Sequence, residues 1–114
     1  VLFRSFQRKP KRYTDISAEE LAKLKEQPNH VVLDVRSERE LAEGAIPGYI
    51  QINLFSREFS SKISELDPSH TYLVYCRSGK RSSRACNIMA KMGFSHLYNL
   101  QGGIFAWKKM NQNP

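Results

Sequence analysis

The chain has 114 residues, 40% of them hydrophobic and 25% charged, with a formal net charge of +7. That length holds one domain around one core and leaves no room for a second catalytic lobe, so a small monomer is expected. No apolar run approaches the length needed to span a bilayer, which excludes a membrane-spanning chain over these residues and makes a soluble, cytoplasmic protein the expectation.

The charge is unevenly placed. Residues 1–14 carry Arg4, Arg8, Lys9, Lys11 and Arg12 with no acid, and from residue 15 onward 13 bases face 11 acids, a balance of +2. Residues 1–13 therefore read as a basic arm, 14–110 as the domain and 111–114 as a short tail. No aromatic stacking platform or binding motif accompanies the arm, so it reads as solvated and no nucleic-acid partner is expected. The chain begins at Val1, not methionine, which points to an upstream segment removed or lying outside this sequence.

After the arm, Ser17-Ala18-Glu19-Glu20 reads as a capping box opening a short helix through Leu21 and Leu24, ending before Pro28. Val31-Val32-Leu33-Asp34-Val35 is a continuous apolar run with β-branched residues, the pattern of a strand buried on both faces. Ser37-Glu38-Arg39-Glu40 repeats the capping-box signal and starts a second short helix. Gly44 and the Ile46-Pro47-Gly48 turn lead to a further apolar stretch, Tyr49 to Leu54. Residues 57–66 set Phe59, Ile63 and Leu66 at helical spacing, and the Asp67-Pro68 break precedes a central strand, Tyr72–Tyr75.

From Ser78 or Gly79 to Met92 the pattern is helical again, with Ala85, Ile88, Met89 and Met92 on one face; Leu97–Leu100 is a last strand, Gln101-Gly102-Gly103 turns, and Ile104–Met110 closes the chain as a helix. Strands alternating with helices at such short intervals argue for a parallel sheet covered on both faces. The exit ends of its strands then form one edge, where Asp34 to Arg36, the loop after Cys76 and the Gly102-Gly103 turn meet. His30, His70 and His96 each precede a strand-like run and fall at the opposite, entry ends, as loop histidines.

Cys76 and Cys86 have neither paired CxxC spacing nor histidines at ligand intervals, so a metal site and a disulfide framework are both unexpected, and no cofactor is implied. Cys86 lies within the helical pattern and reads as a packed side chain. Cys76 is different, because it stands where a buried strand turns into a helix, in Cys76-Arg77-Ser78-Gly79-Lys80-Arg81-Ser82. Unpaired amides at a helix start carry partial positive charge, and Arg77, Lys80 and Arg81 add formal charge around the sulfur. A buried structural cysteine explains neither the three bases nor the glycine turn, whereas an anion-binding nest explains both. Cys76 reads as a nucleophile.

The chain resembles the single-domain rhodanese family, the thiosulfate sulfurtransferase-like proteins, over about residues 14–110. Four motifs in order carry the resemblance: Leu33-Asp34-Val35-Arg36, Gly44-Ala45-Ile46-Pro47-Gly48, Val74-Tyr75 with the Cys76–Ser82 loop, and Leu100-Gln101-Gly102-Gly103-Ile104 with Trp107. The family often has histidine where this chain has Ala45. The resemblance implies an α/β fold, a five-stranded and mostly parallel sheet flanked by helices on both faces. It also implies a Cys76 persulfide, formed by attack on a small anionic sulfur donor and discharged to a thiol, cyanide or protein acceptor. Arg77, Ser78, Gly79, Lys80 and Arg81 would bind the donor, Lys80 and Arg81 attracting it by charge. Asp34 and Arg36 are expected to be structural supports, Asp34 satisfying backbone donors and Arg36 pairing with Glu40.

Two other readings stay open. Cysteine phosphatases and some arsenate reductases also place a cysteine in a strand-to-helix anion cradle, but the common phosphatase loop has five residues between cysteine and arginine, and four separate Cys76 from Arg81. A sulfur carrier or interaction module, working through a protein partner, fits the same loop.

Overall fold

Two apolar runs make the middle of the molecule. The computed structural model describes residues 11–112, so residues 1–10 of the expected basic arm and the last two residues of the tail lie outside the described residues. Strand β1 is Thr14–Ile16, helix α1 Ala18–Leu24 and strand β2 His30–Asp34. A 3-10 helix, Glu38–Glu43, precedes β3 (Ile50–Gln51) and α2 (Phe59–Ile63), and β4 (Thr71–Tyr75), α3 (Lys80–Lys91), β5 (Leu97–Leu100) and α4 (Gly103–Asn111) follow. β2 and β4 run parallel in a register that sets Leu33 beside Val74 and Asp34 beside Tyr75. The five strands form one sheet in the order β1-β5-β4-β2-β3, with every pair parallel.

The pleat sorts the side chains of β4. Tyr72 and Val74 pack with Phe59, Ile63, Ala85, Cys86 and Met89 from α2 and α3, while Leu73 and Tyr75 pack with Leu21 of α1 and Ile104 of α4. Leu33 and Leu73 are fully buried; each such side chain contributes roughly 1.5–3 kcal/mol relative to exposure. Helices therefore cover both faces, and the middles of β2 and β4 are apolar on both sides, as a parallel sheet requires. Among the described residues no helix is long and apolar enough to cross a membrane.

Local signals hold where local chemistry decides. At α1 the Ser17 hydroxyl accepts from the Glu20 N–H at 3.1 Å and Glu20 accepts from the Ser17 N–H at 2.9 Å. The second capping signal opens a 3-10 helix and not an α-helix. Glu40 still takes the Ser37 N–H and hydroxyl, but its carbonyl also receives Arg36 Nη1 at 3.3 Å, and Gly44 closes the segment at φ 113°. The 49–54 stretch pairs regularly only at Ile50–Gln51, although the Ile52 and Leu54 N–H groups still bond the Asp34 and Val35 carbonyls. β1 escapes the sequence pattern because three residues at a sheet edge, of which only Ile16 is buried, carry no apolar run. The three histidines lie at or just before the entry ends of β2, β4 and β5, away from the Cys76 end.

Candidate active site

Cys76 is the first residue after β4, and the chain turns at once into α3. Gly79 makes that turn possible: its φ of 109° lies in the left-handed region, which side chains with a Cβ rarely adopt. The turn aims donors at the sulfur. Cys76 Sγ accepts from the Gly79 N–H at 3.1 Å, the Ser82 N–H at 3.3 Å and the Ser82 hydroxyl at 3.3 Å. Cys76 is 1% exposed. Burial alone pushes its thiol up, but the Ser82 hydroxyl and the Ser82, Gly79 and Ser78 amides outweigh it, and the pKa lies below the ordinary thiol value.

The cradle is braced from behind by α4. The Ile104 N–H donates to the Cys76 carbonyl at 2.9 Å, and the start of the helix lies so close that a Cβ on Gly103 would sit 2.3 Å from the Arg77 carbonyl oxygen. The expected meeting of the cysteine loop with the Gly102-Gly103 turn is thus a backbone contact. On the other side, Asn99 Nδ2 donates to Asp15 Oδ1 at 2.9 Å and reaches the Gly79 carbonyl at 3.5 Å, while the Tyr13 hydroxyl bonds that of Ser83.

Asp34 and Arg36 are buried together at the exit end of β2. Asp34 Oδ1 accepts from the Arg36 N–H at 3.0 Å, so the expected service to a backbone donor is present. The expected pairing of Arg36 with Glu40 is not. Arg36 Nη2 pairs with Asp34 at 2.8 Å and donates to the Gly44 carbonyl at 2.8 Å, meeting Glu40 only at its carbonyl. The Tyr75 hydroxyl donates to Asp34 Oδ2 at 2.5 Å and accepts from the Ile46 N–H at 3.1 Å, and burial pushes the Tyr75 phenol up. This network ties the loop through residue 46 to the strand that carries Cys76. Its members are too completely paired to serve a ligand.

The loop cations differ from one another. Arg77 and Lys80 are exposed, and the Arg77 guanidinium lies over the Phe105 ring, 5.1 Å from its centroid. Arg81, expected to attract a donor, is committed instead: Nη1 and Nη2 donate to the two Glu40 oxygens at 2.7 and 2.8 Å. That fork takes the Glu40 carboxyl down to about 2. Glu40 received its partner across 41 residues of chain, which spacing could not indicate. Ser82 was also missed as a functional residue; its place one turn into the helix, on the sulfur side, was the available signal. No group of three or more His, Cys, Asp or Glu side chains among the described residues is placed to hold a metal ion.

A strand-to-helix thiol with a lowered pKa in a ring of donors suits attack on an electrophile and stabilisation of the charge left on sulfur. Comparison with known proteins narrows the chemistry. A family model described as a rhodanese-like domain matches residues 17–110. A sulfurtransferase of Allochromatium vinosum is 32% identical over 96 residues, spanning 83% of this chain and 88% of that protein. A thiosulfate sulfurtransferase of Shewanella oneidensis is 25% identical over 87% of this chain and 96% of its own. Among solved structures, a rhodanese-related protein from Thermoplasma volcanium superposes with a TM-score of 0.76 at 31% identity, covering 86% of this chain and 93% of that one.

Proposed function

The chain belongs to the family of rhodanese-like domains, and on that footing we propose that it transfers sulfane sulfur, with Cys76 as nucleophile and carrier. The observation that supports this reading is the cradle itself, which lowers the pKa of a thiol that burial would raise. The Cys76 thiolate attacks the outer sulfur of thiosulfate or of a related persulfide or polysulfide donor. With thiosulfate a new sulfur–sulfur bond forms as the old one breaks, and its electron pair leaves with sulfite. The dianion releases a dianion, and the single negative charge of the thiolate passes to the persulfide. A thiol, cyanide or a protein acceptor then attacks the outer persulfide sulfur and returns the Cys76 thiolate.

The loop amides from Arg77 to Arg81 hold donor and persulfide, and exposed Arg77 and Lys80 draw an anionic donor to the mouth. Because Cys76 is 1% exposed, a donor must present its electrophilic atom at a slender terminus, which thiosulfate and persulfides do. Asp34 and Arg36 hold the neighbouring loop and touch neither partner.

Phosphoryl or arsenate chemistry needs a guanidinium free to grip an oxyanion, and both terminal nitrogens of Arg81 are bound to Glu40. A sulfur-carrier module differs from an enzyme in turnover, which discharge to small acceptors measures. The deciding experiment is intact mass spectrometry after incubation with thiosulfate or a small persulfide. One added sulfur atom, removed by reductant and absent from Cys76→Ser, is expected. No uptake from either donor would overturn the reading.

A further inference from the structure

Arg81 occupies the second position of α3, next to Ser82, whose N–H and hydroxyl both touch Cys76 Sγ. Its pKa is raised by the hydrogen bonds to Glu40 and the Glu40 charge, and further by the charge of Cys76. A planar guanidinium can hold a tetrahedral oxyanion with two parallel N–H bonds. In this protein that fork is filled from within by the two Glu40 oxygens.

Glu40 is itself held in place. Its Oε1 also accepts from the Ser37 N–H at 3.2 Å and the Ser37 hydroxyl at 3.1 Å, and its carbonyl receives Arg36 Nη1, which links the clamp to the buried Asp34–Arg36 pair. With its carboxyl down at about 2, Glu40 stays charged at any pH near neutrality. The side chains of Arg81 and Glu40 are 24% and 21% exposed, so the pair is largely shielded from competing water and salt. Two consequences follow from the clamp: the paired N–H donors are occupied, and the charge beside the cradle is cancelled.

We propose that Glu40 is a specificity-determining residue. By occupying Arg81 it keeps the Cys76 cradle a weak site for tetrahedral dianions such as phosphate and sulfate, and favours donors that present sulfane sulfur on a persulfide. The proposal rests on the sulfur-transfer reading of Cys76. Phosphate in the cradle would be a dead end, since it offers the thiolate no sulfur–sulfur bond to break. A persulfide needs no guanidinium. The thiolate bonds its outer sulfur, the bond to the inner sulfur breaks, and the electron pair leaves on the inner sulfur as a thiolate while the proton stays on the transferred sulfur.

Phosphate is the probe, and protection of Cys76 from iodoacetamide is the readout, which requires no sulfur transfer. In Glu40→Gln the phosphate concentration that protects is expected to fall by about tenfold, the scale of one charge-assisted hydrogen bond regained by a ligand. The paired change Glu40→Gln with Arg81→Gln, which removes both charges together, returns to the wild-type phosphate dependence. In Glu40→Gln, kcat/KM rises for thiosulfate, whose sulfonate end is a tetrahedral oxyanion, and stays within about twofold for cysteine persulfide. Folded Glu40→Gln with unchanged phosphate protection would overturn the proposal, as would equal gains for the two donors. The paired variant decides by itself should the single one not fold: a tenfold loss of phosphate protection there means that Arg81 already serves anions, against the proposal. Failure of sulfur uptake in the mass measurement refutes the transfer reading separately, leaving the phosphate result to be judged on its own.

Discussion

Cys76 and Cys86 are both buried, at 1% and 0% exposure, and both lie in the core cluster between the sheet and α2 and α3. Their thiols are displaced in opposite directions. Burial, with the charges of Asp15 and Cys76, pushes Cys86 up to about 12. Burial acts on Cys76 too, yet the Ser82 hydroxyl and the Ser82, Gly79 and Ser78 amides bring it below the ordinary thiol value. The difference lies in where each sulfur meets the backbone. Cys86 is in the body of α3, where amides are already bonded to carbonyls one turn back, and its sulfur points to the Tyr98 carbonyl at 3.9 Å. Cys76 stands before the first turn of that helix, where amides have no intrahelical partner and a sulfur can take them. Donors left free at the helix start, the Ser82 hydroxyl among them, and not exposure, set the two thiols apart.

The largest break in this comparison comes from exchanging the sulfurs for oxygen. Cys76→Ser should abolish both persulfide formation and transfer while leaving the far-ultraviolet spectrum intact, and Cys86→Ser should retain most of the activity. Steady-state transfer and intact mass measure both; turnover by folded Cys76→Ser would show that the two thiols had been assigned the wrong way round.

Gly103→Ala attacks the brace behind the cradle. The new Cβ would meet the Arg77 carbonyl oxygen at 2.3 Å at a φ of 55°, so backbone must move. A loss of about 2–4 kcal/mol in stability is expected from denaturant unfolding, with Cys76 alkylation becoming more like that of an ordinary buried thiol. Wild-type stability and reactivity would mean that α4 does not hold the loop.

Ser82→Ala removes one of the donors to sulfur and leaves the amides. Since Cys76 is lowered in the folded protein, its alkylation rate should rise at a pH below that of a free thiol, and Cys86, buried and with its thiol pushed up, should stay unreactive while the fold is intact. Loss of the hydroxyl, the largest of the lowering contributions, raises the Cys76 midpoint. An unmoved midpoint would assign the lowering to the amides alone.

The smallest effect belongs to Lys80→Ala at the exposed mouth. The Michaelis constant for thiosulfate should rise by about twofold at low salt and the difference should fade near 0.1 M, where the screening length is about 10 Å. A fall in turnover with an unchanged Michaelis constant would instead place the ammonium in the transition state.

The cysteine, its glycine turn and the helix that follows were legible because they are adjacent in sequence and follow from rules acting within one turn. The same holds for the Ser17–Glu20 cap and for the apolar runs of β2 and β4. β1 was illegible because its three residues are specified by pairing with β5 and not by their own pattern. The charge of Arg81 was also visible, but its meaning was not: a loop cation reads as an anion receptor until its partner is known.

Sequence by itself determined the alternation of strand and helix, the nucleophile candidate and the edge of the sheet at which it lies, since each depends on propensity, periodicity or neighbouring residues. Tertiary structure alone decided that Arg36 turns to Asp34 and Arg81 to Glu40, that Ser82 faces the sulfur, and that Gly103 presses on the Arg77 carbonyl. Parallel register aligns Asp34 with Tyr75, and with it the loop after β2 alongside the loop after β4. That alignment brings Arg81 within reach of Glu40 across 41 residues of chain, a bidentate pair that depends on position in space and not on separation in sequence.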